Sequence, residues 1–205
     1  MKVLSFQPLT LKEEDRRHIR TVFQNGGVIV FPSDTAYGLA ADPQKSEAVE
    51  KIYKIKGLTR EKAISCIFAS FRDAKKWAHI SPQNEKVLKA HLPGAFTFIL
   101  PRTERFPLRG DVGVRVPDSN FTDVLLEILS IPYTATSANI SGSPSLYKVE
   151  DIIREFEKNK DQPDLILDAG PLLAGSISTV VDLRFDQQKI IREGSGRFLP
   201  VGKFS

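Results

Sequence analysis

The residues able to do chemistry in this chain lie just beyond short apolar runs. In "FPSDTAYGLAAD" (31–42) an apolar run stops at Pro32, and three short polar side chains follow, Ser33, Asp34 and Thr35. Such side chains bond a ligand or the local backbone equally well, so an ordinary turn is the plain alternative. "YKIKGLTREK" (53–62) brings Lys54, Lys56, Arg60 and Lys62 together around Gly57. Cations near a helix C-terminus are favoured by the macrodipole whatever their function, and most charge runs are solvated faces. Lys56 and Lys62 flank the loop before the next strand-like run. In "VGVRVPDS" (112–119) Arg115 sits inside an apolar run, so it needs an anionic partner, from a substrate or from the protein itself. "TATSANISGS" (134–143) places Ser137 and Asn139 two apart, on one side of an extended segment. "AGSISTVVD" sets Ser176, Ser178 and Thr179 before a strand, and "IIREGSGR" puts Arg192 at a strand end. Lysines, arginines, hydroxyls and an asparagine bind and orient anions; they do little acid–base work at neutral pH.

Other chemistries lack their residues. His18, His79 and His91 have no ligand spacing and read as parts of helical segments, and one cysteine, Cys66, makes a structural zinc site improbable. Neither a GxxxxGK phosphate loop nor a GxSxG nucleophile elbow occurs. "GSG" after Arg192 is no dinucleotide fingerprint, because no helical pattern follows it.

The elements that must position these residues alternate. Strand-like runs are read at 3–6, 28–31, 64–69, 96–100, 112–116, 133–136, 165–167, 179–183 and 189–192. Helical patterns lie between many of them. Thr10 with Glu13 spells a capping box, and Gly26 closes that helix. Ser46 is the expected cap of a helix with an apolar face of Ala48, Val49, Ile52 and Ile55, ending at Gly57. Ser81–Pro82 is another start signal, and residues 120–130 and 148–158 have helical periodicity. No linker or composition shift divides the 205 residues, which predicts one α/β domain, 1–205, with a twisted mixed sheet and flanking helices.

Apolar residues make up 41 % of the chain and its net charge is +4, which permits a phosphate-bearing partner without requiring one. A lone cysteine, no signal-peptide pattern and no long apolar run lead to the expectation of a cytoplasmic protein with no membrane partner.

Taken in order, "GGVIVFPSDTAYGLAAD", "KIYKIKG", "LPGAFTFIL", "VGVRVPD", "TSANISG", "DAG", "STVVDL" and "IIREGSG" resemble the YrdC-like family, from about residue 8 to residue 197. Each motif is weak alone, but the ordered series is specific. The characterised enzymes of that family are threonylcarbamoyl-AMP synthases, and this chain looks like their short, single-domain form. The resemblance implies an α/β twisted sheet around a positively charged cavity. It also implies a reaction of L-threonine, bicarbonate and ATP, with magnesium on the phosphates, giving L-threonylcarbamoyladenylate and pyrophosphate. The product feeds the N6-threonylcarbamoyl modification of adenosine 37 of tRNA through a downstream transfer machinery. The fold has also been connected with double-stranded RNA.

Residue by residue, the resemblance places Ser33 and Thr35 in the threonine pocket, Arg115 on the threonine carboxylate and Ser178 on the threonine side. Lys56 matches the first cation of a Lys-x-Arg motif and is assigned to phosphate or carbamate. Ser137 and Asn139 match a Ser-x-Asn motif that contacts nucleotide and intermediate. Arg192 is assigned to the nucleotide, and Lys62 fits a cationic position before the next strand. One departure stands out: the motif arginine is Leu58 here. Leucine has no guanidinium, so either Arg60 takes over that phosphate contact or the activity is lost. The alternative readings are a non-enzymatic RNA-binding relative and, less favoured, a nucleotide-dependent carbamoyl transfer to another acceptor.

Overall fold

A computed structural model describes residues 1–59, 64–174 and 177–201. The strands are β1 (Lys2–Ser5), β2 (Ile29–Phe31), β3 (Gly38–Ala40), β4 (Ser65–Ile67), β5 (Phe96–Leu100), β6 (Val112–Arg115), β7 (Tyr133–Ser137), β8 (Leu165–Asp168), β9 (Thr179–Asp182) and β10 (Lys189–Arg192). The helices are α1 (Glu13–Gln24), α2 (Ser46–Lys56), α3 (Pro82–His91), α4 (Asn120–Leu129) and α5 (Val149–Phe156). A short 3-10 turn spans Asp73–Lys76.

All ten strands join one mixed sheet in the order β1-β8-β2-β3-β7-β4-β6-β5-β9-β10. β1 and β2 run parallel to β8, β4 to β6 and β5 to β9; the remaining neighbours are antiparallel. The register assigns each residue a face, because directly paired residues point the same way and neighbours along a strand alternate. One face carries Val30, Leu39 and Ile166 over one half of the sheet and Cys66, Phe98, Val114 and Val181 over the other. α2 and α5 cover the first group, through Ile52, Ile55, Ile152 and Phe156; Val87 and Leu88 of α3 cover the second. The opposite face carries Ile29, Phe31, Ala40, Ile67, Tyr133 and Ala135, covered by Ile19 and Phe23 of α1 and Leu125 and Ile128 of α4.

Local chemistry explains several boundaries. Ser81 Oγ accepts from Asn84 N at the start of α3, with Pro82 in the first turn, as the sequence predicts. Gly57 ends α2 in the left-handed region at φ 61°, open to glycine without a Cβ penalty. Two expected caps are not used. α1 starts one turn beyond Thr10, capped by Lys12, and α2 is capped by Lys45 with Ser46 already inside the helix; neither cap makes a side-chain bond. His79 lies between the 3-10 turn and α3 rather than in a helix. β3 is not among the strand-like runs of the sequence. Gly-Leu-Ala has no β-branched residue, and Gly38 is held small by the Phe31 ring, which a Cβ there would meet at 2.7 Å.

Candidate active site

Among the described residues, the apolar faces of the helices leave part of the second face unclaimed. Ser65, Thr97, Ile99, Gly113 and Val180 point to it by register, yet none belongs to any of the three apolar clusters. Arg115, Ser137 and Arg192 lie on this same face, since Arg115 pairs with Ile67, Ser137 with Gly38 and Arg192 with Val180. Its floor is kept low: a Cβ on Gly113 would come within 2.5 Å of Ser65 Oγ. The loop after β2 folds back across it, because Asp34 and Thr35 meet the Arg115 guanidinium although β3 and β6 are separated by two strands.

Three polar groupings ring this patch. In the first, Ser33 and Thr35 are buried and their hydroxyls lie 3.1 Å apart. Ser33 Oγ donates to Ala36 O at 2.7 Å and accepts from the amides of Thr35 and Ala36, which fixes the turn. Arg115 Nη2 donates to Thr35 Oγ1 and to Asp34 Oδ1, both at 3.2 Å. Burial pushes the Asp34 carboxyl above its ordinary range, while Arg115 and the backbone amides of Asp34 and Asp118 pull the other way. Burial also lowers the Arg115 pKa, against the opposing pull of Asp34.

In the second grouping Thr97 Oγ1 and Ser178 Oγ lie 3.0 Å apart. Arg192 clasps Ser178, donating from Nη2 to its carbonyl at 2.8 Å and to its hydroxyl at 3.0 Å. Behind it, Thr179 Oγ1 donates to Gly196 O and accepts from Gly194 N, so the segment after β10 is tied to the start of β9. Arg115 and Arg192 are near enough for each to feel the other's charge, which links the first two groupings.

The third grouping stands at the end of β7. Lys56 comes from the helix layer on the other face and is only 4 % exposed. Its ammonium donates to Ser137 O at 2.5 Å, Asn139 O at 2.9 Å and Asn139 Oδ1 at 3.1 Å. Ser137 Oγ donates to Asn139 Oδ1 at 2.5 Å, and Asn139 Nδ2 donates to Ser143 O. The lysine therefore organises the Ser-x-Asn loop.

Ser33, Thr35 and Arg115 thus meet one another, as do Ser178 and Arg192, and Lys56, Ser137 and Asn139. Arg60 and Lys62 lie outside the described residues. Leu58 is described and half-buried. Two participants had no assigned role in the sequence reading: Asp34 and Thr97. Asp34 stood inside a quoted motif, but nothing local announces its pairing with Arg115; Thr97 sits in an apolar strand and carries no local signal.

Two half-open pockets lie elsewhere. One of about 380 Å³ is lined by His79, Ser81, Asn84 and Arg184. Another, of about 340 Å³, is lined by Phe71, Val116, Asp118 and Asp123, one residue beyond Arg115. Neither pocket includes Arg115, Ser137, Ser178 or Arg192 in its lining. Among the described residues no cluster of three or more His, Cys, Asp or Glu could hold a metal ion. No helix among them is long and apolar enough to cross a membrane.

A mixed ten-stranded sheet with helices on both faces, and Arg115, Ser137 and Arg192 on one of those faces, defines an α/β protein. The family profile Sua5/YciO/YrdC, described as "Telomere recombination", matches residues 21–194, and the chain belongs to that family. It is 30 % identical over 202 residues to a putative threonylcarbamoyl-AMP synthase of Methanocaldococcus jannaschii, covering 95 % of this chain and 93 % of the relative. It is 31 % identical over 186 residues to the uncharacterised protein YciO of Escherichia coli, covering 87 % of this chain and 88 % of the relative. The crystal structure of E. coli YciO superimposes with a TM-score of 0.85 at 28 % identity, over 97 % of this chain and all of that one. The structure of P. abyssi Sua5 complexed with L-threonine gives a TM-score of 0.84 at 28 % identity, over 95 % of this chain but 58 % of that one.

Proposed function

We propose that the protein is a threonylcarbamoyl-AMP synthase, joining L-threonine, bicarbonate and ATP to give threonylcarbamoyladenylate and pyrophosphate. The observation that carries this reading is the sheet face on which Arg115, Ser178, Arg192 and Ser137 are gathered. The synthase relatives and the threonine-bound Sua5 structure support the choice of substrates.

The carbamate of threonine must attack the α-phosphate of ATP. Both are anions, so cations on the sheet face must offset their repulsion where water is scarce. Carbamates decompose readily, so holding the partners together is the main task, and orientation contributes up to about 7–11 kcal/mol to such reactions. Arg115 holds the amino-acid carboxylate, with Ser33 and Thr35 fixing the turn beside it. Ser178 lies toward the threonine, and Arg192, braced on it, takes the nucleotide. Lys56 holds the Ser137–Asn139 loop in the conformation that addresses the nucleotide and intermediate. Magnesium enters with ATP, carried by the phosphates, neutralises their charge and helps pyrophosphate leave. No side chain has to act as a base on the attacking carboxylate oxygen. The product then passes to a tRNA-modifying transfer system.

Purified protein with MgATP, L-threonine and bicarbonate is expected to release pyrophosphate only when threonine is present. Release that ignores threonine, or none at high protein concentration, refutes the reading. A second reading is favoured by Leu58: an RNA-binding relative without the synthase step. It predicts salt-sensitive binding of double-stranded RNA or tRNA that survives alanine at both Lys56 and Arg115. Affinity indifferent to salt refutes that reading.

A further inference from the structure

We propose that Glu155 is a positioning residue for the Ser137–Asn139 loop, holding with Lys56 the two ends of a single peptide unit. The inference rests on the reaction proposed above, in which that loop addresses the nucleotide, and adds a residue that acts on it from behind.

The loop after β7 depends on hydrogen bonds for its shape. Ile140 packs against the apolar cluster under α2 and α5, but a Cβ at Gly142 would find nothing within 4 Å. Ser143 N donates to Ile140 O at 3.1 Å, and Ser141 N donates to Lys56 O at 2.9 Å. Two charged side chains reach the loop from helices that cover the far face of the sheet. Lys56, at the end of α2, donates from Nζ to Asn139 O at 2.9 Å. Glu155, in α5, accepts from Ile140 N at 3.0 Å through Oε1. Asn139 O and Ile140 N belong to one peptide bond, which is trans. The C=O and N–H of a trans peptide point to opposite sides. The ammonium therefore stands at the oxygen end of this dipole and the carboxylate at its hydrogen end.

That arrangement selects one orientation of the peptide. Flipping it would turn Asn139 O toward the Glu155 carboxylate and Ile140 N–H toward the Lys56 ammonium, replacing two attractions by two repulsions. The orientation in turn directs Asn139. Its Oδ1 accepts from Ser137 Oγ at 2.5 Å and from Lys56 Nζ at 3.1 Å, and its Nδ2 donates to Ser143 O. Glu155 has a firm base from which to act, because Ile152 and Phe156 of the same helix are buried against the sheet. Lys56 also bonds Ser137 O, so it serves more than this peptide; Glu155 reaches the loop through the Ile140 amide. A loop that samples two peptide orientations binds nucleotide only in the competent one, and its apparent affinity falls by that fraction.

The test is calorimetric titration of the full chain with MgATP and, separately, with L-threonine, on the wild type and three variants. Glu155→Ala removes the acceptor. Glu155→Asp keeps the charge but is one methylene too short to reach Ile140 N. Glu155→Gln loses the charge but keeps an acceptor oxygen at the right distance. The first two are expected to bind MgATP about 10-fold more weakly, the low end for one bond to a charged group, with threonine affinity unchanged. Glu155→Gln should recover most of the loss. Thermal melts run alongside separate positioning from simple support: a variant that melts lower yet binds MgATP like the wild type overturns the inference. Equal weakening of MgATP and threonine overturns it too, since the damage would then be general. So does a Glu155→Gln protein as weak as Glu155→Ala, because charge rather than the bond would be acting. If Glu155→Ala does not fold, Glu155→Asp decides in its place. A wild type that binds MgATP but releases no pyrophosphate with threonine and bicarbonate refutes the proposed reaction, while the titrations still decide the role of Glu155. A wild type that does not bind MgATP refutes both.

Discussion

Replacing Lys56 by methionine keeps an unbranched side chain of about the length of the lysine stem and removes its ammonium. In the structure Lys56 is 4 % exposed, and its ammonium donates to the carbonyls of Ser137 and Asn139 and to Asn139 Oδ1. All three acceptors belong to one loop, so the change leaves them turned toward a thioether. An unsatisfied buried acceptor costs about 1–3 kcal/mol, and three would give at most about 9. Against that, the buried charge no longer has to be desolvated, which returns several kcal/mol. The net expectation is a loss of about 3–5 kcal/mol, the range for breaking a buried charged network. At roughly 2–4 °C per kcal/mol for a chain of this size, Lys56→Met should melt about 6–20 °C lower. Urea denaturation followed by far-UV dichroism gives the free energy directly, and ATP titration of the same variant gives the ligand effect. Lys56→Arg should be nearly as damaging, because a planar fork cannot replace three tetrahedral donors in the same space. A loss below about 1 kcal/mol together with a large drop in ATP affinity would refute the reasoning: the ammonium would then serve the nucleotide directly rather than the loop.

Arg115→Lys keeps the charge but not the fork, so threonine KM should rise roughly 10- to 100-fold with a smaller change in kcat; an unchanged KM removes Arg115 from the carboxylate. Gly113→Ala pushes a Cβ to 2.5 Å from Ser65 Oγ and should cost about 1–3 kcal/mol, with most of it restored by Ser65→Gly in a denaturation double-mutant cycle. The Tyr37 phenol, pushed up to about 12 chiefly by burial, donates to Gly170 O at 2.8 Å and accepts from Ala169 N at 3.1 Å. Its folded pKa is raised, so its contribution is complete below the unfolded value of about 10 and is lost as pH climbs toward 12. Wild-type stability should therefore fall by about 2 kcal/mol across that window, and Tyr37→Phe should flatten the fall in alkaline melts.

Much of the scaffold was legible because it rests on local physics. Strand-like runs fell where β1, β2 and β4–β10 lie, since branched and aromatic residues bounded by turn residues have few other uses. The α2 face of Ala48, Val49, Ile52 and Ile55 is buried as its 3.6-residue period predicts; Ser81 caps through its hydroxyl and Gly57 through its lack of a Cβ. Thr10 and Ser46 failed as caps, because helix starts shift by a residue or two when packing of the apolar face decides where the first turn fits. β3 was missed for a related reason: its three small residues are in a strand because β2 and β7 hold them there, not because Gly-Leu-Ala prefers to be extended.

Sequence alone thus determined the family, the order of the elements other than β3 and the chemical types at strand ends, because periodicity and motif order are properties of neighbouring residues. Only the tertiary structure decided which of those residues meet. Asp34 and Arg115 are 81 positions apart, as are Thr97 and Ser178, and Lys56 reaches Asn139 across 83. Those contacts follow from the sheet order and its register, where a slip of one residue would turn Arg115, Thr97 and Ser137 into the opposite layer. Pairing between distant strands depends on what each face can bury, and no stretch of neighbouring residues carries that information.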